Sequence, residues 1–504
     1  MLTKKTVVLG ITGSIAAYKA ADLASKLVQA GANVNVIMTK SATELVGPIT
    51  LRSITNNPVA IDMWAEPASD VSITHISLAE AADVVVIAPA TANTIAKIAV
   101  GIADDILGCT VLDTKAPVII APAMHNDMYQ NPVTQENIAK LKARGFTIIE
   151  PESGRLASGG FGMGRLPRVE KIIDTIRTVL GRNGDLAGKR IVVTAGGTQE
   201  PIDPVRHIGN RSSGKMGYAV AEAARDRGAI VTLITAPVAL NPPTGVKTIA
   251  VRTVAEMKAA VTKATAKADA LIMAAAVSDY QPKLVAKSKI KKEAGATLTL
   301  DLVRTPDILA EASGKFIKVG FAAESDDVVA NARQKLIKKN LDLIVANDIT
   351  DPQSGFEVDT NKVILIGRDG KAENLPLLPK REVAEKILDR VTRVLADNDR
   401  ANRVEIEITS AFFKLKDPYI LIPEGKRDLF PTVSTNVIIE TENGVIEARS
   451  YKFPNDTRRK LNGEPVKKWF QHNFTLKDGD KIIITVVEPM KRYRLELIKK
   501  QKVI

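Results

Sequence analysis

The chain has 504 residues, 45% of them hydrophobic, and a formal net charge of +13. That is length for roughly three domains and apolar material for full cores, which excludes a largely disordered chain. The positive balance suits phosphorylated metabolites as well as nucleic acid and separates neither, and a single cysteine, Cys109, excludes an intramolecular disulfide and fits a reducing, cytoplasmic compartment.

In chain order, residues 6–9 read as a strand. Lys4-Lys5 ahead of the apolar run 7–17 has the outline of a secretory signal, but Thr12 and Ser14 interrupt it. The pattern then passes straight into an amphipathic helix over 16–30, ending at Gly31. No run of about 18 uninterrupted apolar residues occurs, so no membrane span is expected. Strands over 33–38, 83–88, 118–121 and 147–149 alternate with helices over 94–100 and 134–143. Val84-Val85-Val86-Ile87 lacks period-two alternation, as do strands of a parallel sheet covered on both faces.

A break falls at 181–185, and the alternation restarts. Strands over 190–194, 230–234, 270–274, 318–321 and 343–346 go with helices over 217–227 and 382–395. After residue 398 the character changes: 401–504 carry 10 of the 20 aromatic residues, and 20 Lys+Arg against 14 Asp+Glu. Stretches 404–408 and 481–486 read as strands, and 442–444 and 477–480 as hairpin turns. The expected fold is α/β: two Rossmann-like, doubly wound parallel-sheet domains in tandem (1–180 and 189–398, linked by 181–188), then a small β-rich domain over 401–504.

Two glycine-rich turns follow the first strand of each α/β segment, Gly10-Ile11-Thr12-Gly13-Ser14 and Gly196-Gly197-Thr198. Each allows backbone N–H groups to face a phosphate near a helix start. In the first segment His75 has neutral neighbours and the makings of a general base. Two strand ends carry small residues, Ala88-Pro89-Ala90-Thr91-Ala92-Asn93 and Ala121-Pro122-Ala123-Met124-His125-Asn126. In an open α/β sheet such strand ends gather around the ligand. Cys109, in Leu107-Gly108-Cys109-Thr110, reads as a buried small residue rather than a nucleophile.

These blocks, with Gly13-Ser14 and the run 159–165, make residues 1–180 similar to the FMN-dependent phosphopantothenoylcysteine decarboxylase family. The resemblance implies bound FMN, held by Gly13, Ser14, Thr39, Ala90, Thr91 and Asn93. It also implies His75 as the base, and Met124, His125, Asn126 and Arg165 on the substrate. Two positions depart from the family pattern. His125 stands where Asn is common, and Ser158 stands in the clasping segment where Cys is common, so Ser158 as the final proton donor lacks a thiol's acidity.

In the second segment, Asn210-Arg211-Ser212-Ser213-Gly214-Lys215 gathers an amide, hydroxyls and cations before a helix, chemistry suited to a phosphate or an activated carboxylate. Its Ser-Gly-Lys lacks the upstream glycine spacing of a P-loop. With Ala274-Ala275-Ala276-Val277-Ser278-Asp279 and Lys289, this block makes 189–395 resemble the CTP-using phosphopantothenate–cysteine ligase family. The resemblance implies an acyl-cytidylate intermediate, with Asn210 gripping the acyl group, Lys289 neutralising phosphate charge and Arg206 on the substrate. It places CTP against Ala274, Ala275, Asp279, Pro306, Asp307, Ile308, Leu309, Phe321, Lys335 and Lys339, with Mg2+ at Asp279. The expected substrates are phosphopantothenate, cysteine and CTP. The expected assembly is a homo-oligomer, a trimer or dodecamer through the flavin domain and a dimer through the ligase domain.

The tail resembles no family. Arg458-Arg459-Lys460, Lys467-Lys468-Trp469-Phe470 and Lys491-Arg492-Tyr493-Arg494 interleave basic and aromatic residues, so 401–504 is the only candidate nucleic-acid surface; the favoured reading is a β appendage with a solvated basic face or an oligomerisation module. Three function classes remain: a bifunctional enzyme, which leads; an FMN-binding regulatory protein with dead sites, which His125 and Ser158 motivate; and a nucleic-acid binder on an enzyme-like core.

Overall fold

The computed structural model describes residues 2–64, 74–291, 298–324, 327–348, 358–401, 403–407, 420–431, 433–442, 444–452, 459–472, 480–488 and 490–498. Ile408, Asn443, Arg458, Lys292 and most of the turn at 477–480 lie outside them. The chain divides into two compact units, 1–388 and 389–504. Among the described residues no helix is long and apolar enough to cross a membrane.

The first unit holds two α/β lobes. The first lobe has a six-stranded parallel sheet in the order Val59–Ala60, Asn33–Met38, Thr6–Ile11, Val84–Ala90, Val118–Pro122, Thr147–Ile148. All seven residues of Val84–Ala90 are buried, so the run of β-branched residues is a central strand with no solvent face. The order reverses between Thr6–Ile11 and Val84–Ala90, which opens a crevice at their carboxyl ends. The helix read over 16–30 is a 3-10 turn, Ile15–Tyr18, followed by the α-helix Lys19–Gln29, which buries Ala20, Leu23, Ala24 and Leu27 along one stripe.

Helices Pro48–Thr55, Thr74–Ala81 and Ile106–Asp113 were not legible as such. The last two pack against each other, and Ile106–Asp113 buries residues around most of its circumference, so no polar stripe marks its period. The glycine-rich run after 150 is an ordered hairpin, Glu152–Arg155 paired antiparallel with Phe161–Arg165.

The second lobe repeats the winding. Its sheet runs Lys247–Ala250, Ile230–Thr235, Arg190–Ala195, Ala270–Met273, Ile317–Glu324, Leu343–Asp348, Val363–Gly367, Ala372–Asn374, with the first six parallel and the last two antiparallel. The segment read as a linker is packed into this lobe. Leu186 is fully buried and its N–H donates to the Arg227 carbonyl at 3.1 Å, while Asp185 pairs with Arg227. A buried charge cluster joins the lobes: Arg225, 2% exposed, reaches Asp226 at 2.8 Å and Asp174 of the first lobe's helix Val169–Gly181 at 3.4 Å.

The second unit is a seven-stranded sheet in the order Arg403–Glu407, Lys481–Glu488, Arg492–Ile498, Thr435–Thr441, Gly444–Lys452, Arg459–Asn462, Ile420–Ile422, antiparallel except for one pair. Helix Glu464–His472 drives Val466, Trp469 and Phe470 into its core. Tyr493 is also fully buried and stacks on Phe430, with ring centroids 4.5 Å apart. The aromatics of 467–470 and 491–494 are therefore core rather than a base-stacking platform, and Arg492 and Arg494 pair with Glu440 at 3.6 and 3.0 Å.

Candidate active sites

In the first lobe Thr12 ties the two strands at the switch point. Its hydroxyl donates to the Pro89 carbonyl at 2.8 Å and accepts the Thr91 N–H at 3.0 Å. Thr91 in turn caps helix Ala92–Val100, accepting from the Thr94 N–H at 3.3 Å. Gly13 has no room for a side chain, since a Cβ there would lie 2.5 Å from Ser41 Cβ. Beside these turns is a cleft of about 660 Å3 lined by Gly13, Ser14, Thr91, Met124, His125, Ser158 and Arg165. Ser158 lies in the tip of the 152–165 hairpin, which folds over the cleft; the tip is closed by Leu156 N–H to Gly160 O at 2.8 Å.

Other expected residues stand off this cleft. Asn126 turns to the hairpin, its Oδ1 accepting the Met163 N–H at 3.0 Å, so His125 rather than Asn126 faces the cleft. Ala90 is buried in its strand, and Asn93 is exposed on the first turn of the following helix. His75 is half-buried on helix Thr74–Ala81, which packs on helix Ile106–Asp113, and is not among the residues lining the cleft. Cys109 is partly buried, with Sγ 3.4 Å from Ala103 O, and burial raises its pKa.

The second lobe has its own switch-point threonine: Thr194 Oγ1 accepts the Ala275 N–H at 3.1 Å. Its glycine turn works differently from the sequence expectation. The Thr198 N–H is spent on Ala276 O at 3.2 Å, and Gly197 makes room for the backbone of Asn210, which a Cβ would overlap. The segment that faces the cavity is instead 210–217, entering helix Lys215–Arg225 through Gly214 at φ +74°. The cavity, about 360 Å3, is lined by Asn210, Ala274, Ala275 and Asp279; by Pro306, Asp307, Ile308 and Leu309; and by Phe321, Lys335 and Lys339. Asn210 is held by Nδ2 donating to Val277 O at 3.0 Å. Asp307 caps helix Ile308–Glu311 and pairs with Lys339 at 2.9 Å, and its pKa is lowered: burial opposes the shift, but the lysine and the cap hydrogen bond outweigh it.

Arg206 and Lys289 are not among the lining residues, and Lys289 is exposed. Arg206 is engaged by Asp203, which is 3% exposed and accepts Arg206 Nη2 at 2.6 Å and Nε at 3.0 Å. The same carboxylate accepts the Ile290 N–H at 3.2 Å, and Arg206 Nη2 donates to Ile290 O at 2.8 Å. The pair thus clamps the residue next to Lys289. The Arg206 guanidinium, followed by backbone N–H donors, holds the Asp203 carboxyl far below the usual carboxylate range.

Residues 1–181 match the family model described as flavoprotein, and 186–395 the one described as DNA/pantothenate metabolism flavoprotein C-terminal domain. The chain is 47% identical over 397 residues to the coenzyme A biosynthesis bifunctional protein CoaBC of Bacillus subtilis, covering 78% of this chain and 97% of that protein. The CoaBC of Escherichia coli is 42% identical over 405 residues, covering 79% and 99%. Among solved structures, the C-terminal domain of a CoaBC aligns with 42% of this chain and 99% of its own at 43% identity, with a TM-score of 0.37. The chain belongs to the CoaBC family.

As a CoaBC it is a bifunctional enzyme of coenzyme A biosynthesis, a phosphopantothenoylcysteine decarboxylase and phosphopantothenate–cysteine ligase with an FMN-binding flavoprotein domain. Residues 396–504 lie beyond both family matches. Thr39, which follows the second strand, is not among the residues lining the cleft, but its Oγ1 is buried with no hydrogen-bond partner among the described residues, an orphaned polar atom of the kind a bound flavin would satisfy. The ligase cavity also includes Lys215 of the 210–217 segment, and Asn347, Asn361 and Lys380, the last three of which were assigned no role from the sequence. Lys380 opens an amphipathic helix, where a lysine reads as solvated.

Proposed function

We propose that the second lobe joins phosphopantothenate to cysteine with CTP through an acyl-cytidylate, and that the first decarboxylates the product to phosphopantetheine. The observation that carries this reading is the gathering of eleven expected residues, from Asn210 to Lys339, on one cavity wall. There Asn210 holds the acyl group, and Lys335 and Lys339 meet the nucleotide. Among the described residues no cluster of three or more His, Cys, Asp or Glu side chains forms a metal cage. Mg2+, brought with the triphosphate, would take Asp279 as its protein carboxylate. In the first lobe Gly13, Ser14, Thr39 and Thr91 hold FMN, which supplies the reversible oxidation of the substrate thiol that makes its carboxylate labile. His125 and Arg165 fix the substrate's anionic groups, and Ser158 closes over it. A cytoplasmic setting fits the lone thiol.

The working enzyme is, on this reading, a homo-oligomer. His75 and Lys289 are not among the residues lining their own chain's cavities, and on this reading they act in sites shared with a neighbouring copy. The rim of the first cleft supports this, because Ile15, Tyr18 and Met128 are 64, 63 and 50% exposed there. A coupled assay with phosphopantothenate, cysteine and CTP tests the reading: CMP, pyrophosphate and CO2 are expected from a yellow protein larger than one chain in sedimentation. Absence of pyrophosphate would refute the ligase assignment, and an active monomer would refute the shared sites.

A further inference from the structure

Lys380 is an unusual residue for a cavity wall. It is 5% exposed, it opens the helix Lys380–Ala401, and its ammonium donates to the Val358 carbonyl. Its backbone N–H donates to Asp359 O at 2.9 Å. Across the same cavity edge Lys215 opens helix Lys215–Arg225 and pairs with the Asp359 carboxylate at 2.7 Å, a carboxylate that is itself 88% exposed. Asn361 and Asn347, 4 and 9% exposed, complete this part of the wall. Two lysines, at the first turns of two helices, and two buried amides therefore converge on one part of the cavity wall. Burial first, and then the charge of Lys215, bring the Lys380 pKa down to about 8; Asp359 opposes the shift. A buried cation beside a like charge is costly unless an anion joins it.

We propose that Lys380, with Lys215 and Asn361, forms a subsite of the ligase cavity for a phosphate group carrying two negative charges. The inference rests on the CTP-dependent ligation proposed above. That reaction brings two such groups, the terminal phosphate of the nucleotide and the 4'-phosphate of phosphopantothenate. The chemistry recognised is the same for both: a compact dianion facing two ammonium groups, amide donors and the first turns of two helices.

Steady-state ligation by the FMN-loaded full chain separates the two sources. Lys380→Gln is expected to raise one KM about 10- to 100-fold with kcat changed much less. A rise confined to CTP places the nucleotide's terminal phosphate in the subsite. A rise confined to phosphopantothenate, with lost preference over unphosphorylated pantothenate, places the 4'-phosphate there. Unchanged KM for both, or a fall in kcat alone, overturns the proposal. Lys380→Arg supplies a readout that a merely structural role would not move. Wild-type kcat/KM for the affected substrate should fall as pH rises through about 8, Lys215 and Asp359 being the charged groups that face Lys380, and the arginine variant should stay flat there. Parallel profiles would also overturn the proposal. Binding of inorganic pyrophosphate, weakened at least about ten-fold by Lys380→Gln, reads the subsite without turnover. A wild type that binds pyrophosphate but makes no CMP would refute the ligation reading while leaving the subsite standing; equal binding by both proteins would remove the subsite.

Discussion

On the proposed reading His75 and Asp203 serve the two reactions in different ways, and neither is among the residues lining its own chain's cavities. His75→Asn keeps the size of the ring's near half and removes the base. Decarboxylation, followed as CO2 released from phosphopantothenoylcysteine, should fall at least about 100-fold, while CTP-dependent ligation stays intact. Loss of both in a folded protein would contradict independent sites. Asp203 acts through its neighbours: it anchors Arg206 and the Ile290 N–H, and so the segment bearing Lys289. Asp203→Asn should slow ligation about 10- to 100-fold, measured as CMP release, because a loosened segment misplaces a charge needed in the transition state. The pH sign follows from the lowered pKa. The folded state holds this proton less tightly than the unfolded one, so the carboxylate's contribution is full above the ordinary Asp range and is lost as pH falls through the folded value. The stability gap between wild type and Asp203→Asn should therefore narrow as the medium is acidified below about pH 4; a constant gap would show that the charge is not what stabilises the clamp.

At the scale of elements, the hairpin 152–165 depends on glycine where its second strand crosses the Met124 turn. Gly164 has φ +135°, and a Cβ there would overlap the Met124 carbonyl oxygen. Gly164→Ala combines backbone strain with a steric overlap that no flexible side chain can relieve, so a loss of about 2–4 kcal/mol is expected in urea unfolding monitored by flavin release. Decarboxylation should fall with it, since Ser158 and Arg165 ride on this hairpin. The sequence marked this run as glycine-rich and clasping, but the register that seats it against Met124 and Asn126 is a long-range fact. The second glycine turn, 196–197, teaches a related point. Its sequence promised N–H groups facing a phosphate, yet Ala276 and Asn210 occupy that space, and the segment that faces the cavity is 210–217.

For the whole molecule, the cluster between the lobes is the feature with the largest expected effect. Arg225 is held among Asp174, Asp226 and the Thr244 carbonyl, and Asp226 also accepts Arg381 at 2.8 Å. Arg225→Met takes the buried cation from between Asp174 and Asp226, leaving them Arg177 and Arg381, and should cost about 3–5 kcal/mol, seen as a lower Tm. Burial holds the carboxyls of Asp174 and Glu222 above the usual range, so the folded state takes up protons there before the unfolded chain does. Stability from these groups thus rises as pH falls towards the ordinary carboxylate range. The deficit of Arg225→Met should be smaller near pH 5 than at pH 8, and the reverse order would show that the carboxylates are not the source of the loss. The C-terminal unit has its own core, and the CoaBC relatives are matched almost end to end without it. A chain ending at residue 398 should keep both activities within about two-fold, ordinary variation for a change that touches neither site; a larger loss would tie the tail to catalysis.

The strands, their alternation with helices and the small residues where strands end follow from local matters, β-branched runs and their spacing, which act over a few neighbours and can be read along the chain; the order of the strands in each sheet is set by long-range pairing. The eleven residues of the ligase cavity were legible through the resemblance to the CTP-using ligase family; only some of them, such as Ala274 and Ala275, follow directly on a strand. The removal of Asn126 from the cleft, the capture of Arg206 by Asp203 and the burial of Lys380 were not legible. Each depends on which distant backbone donor or charge arrives beside the side chain, and a hydrogen bond or a lost hydration shell exists only once packing has brought the two together.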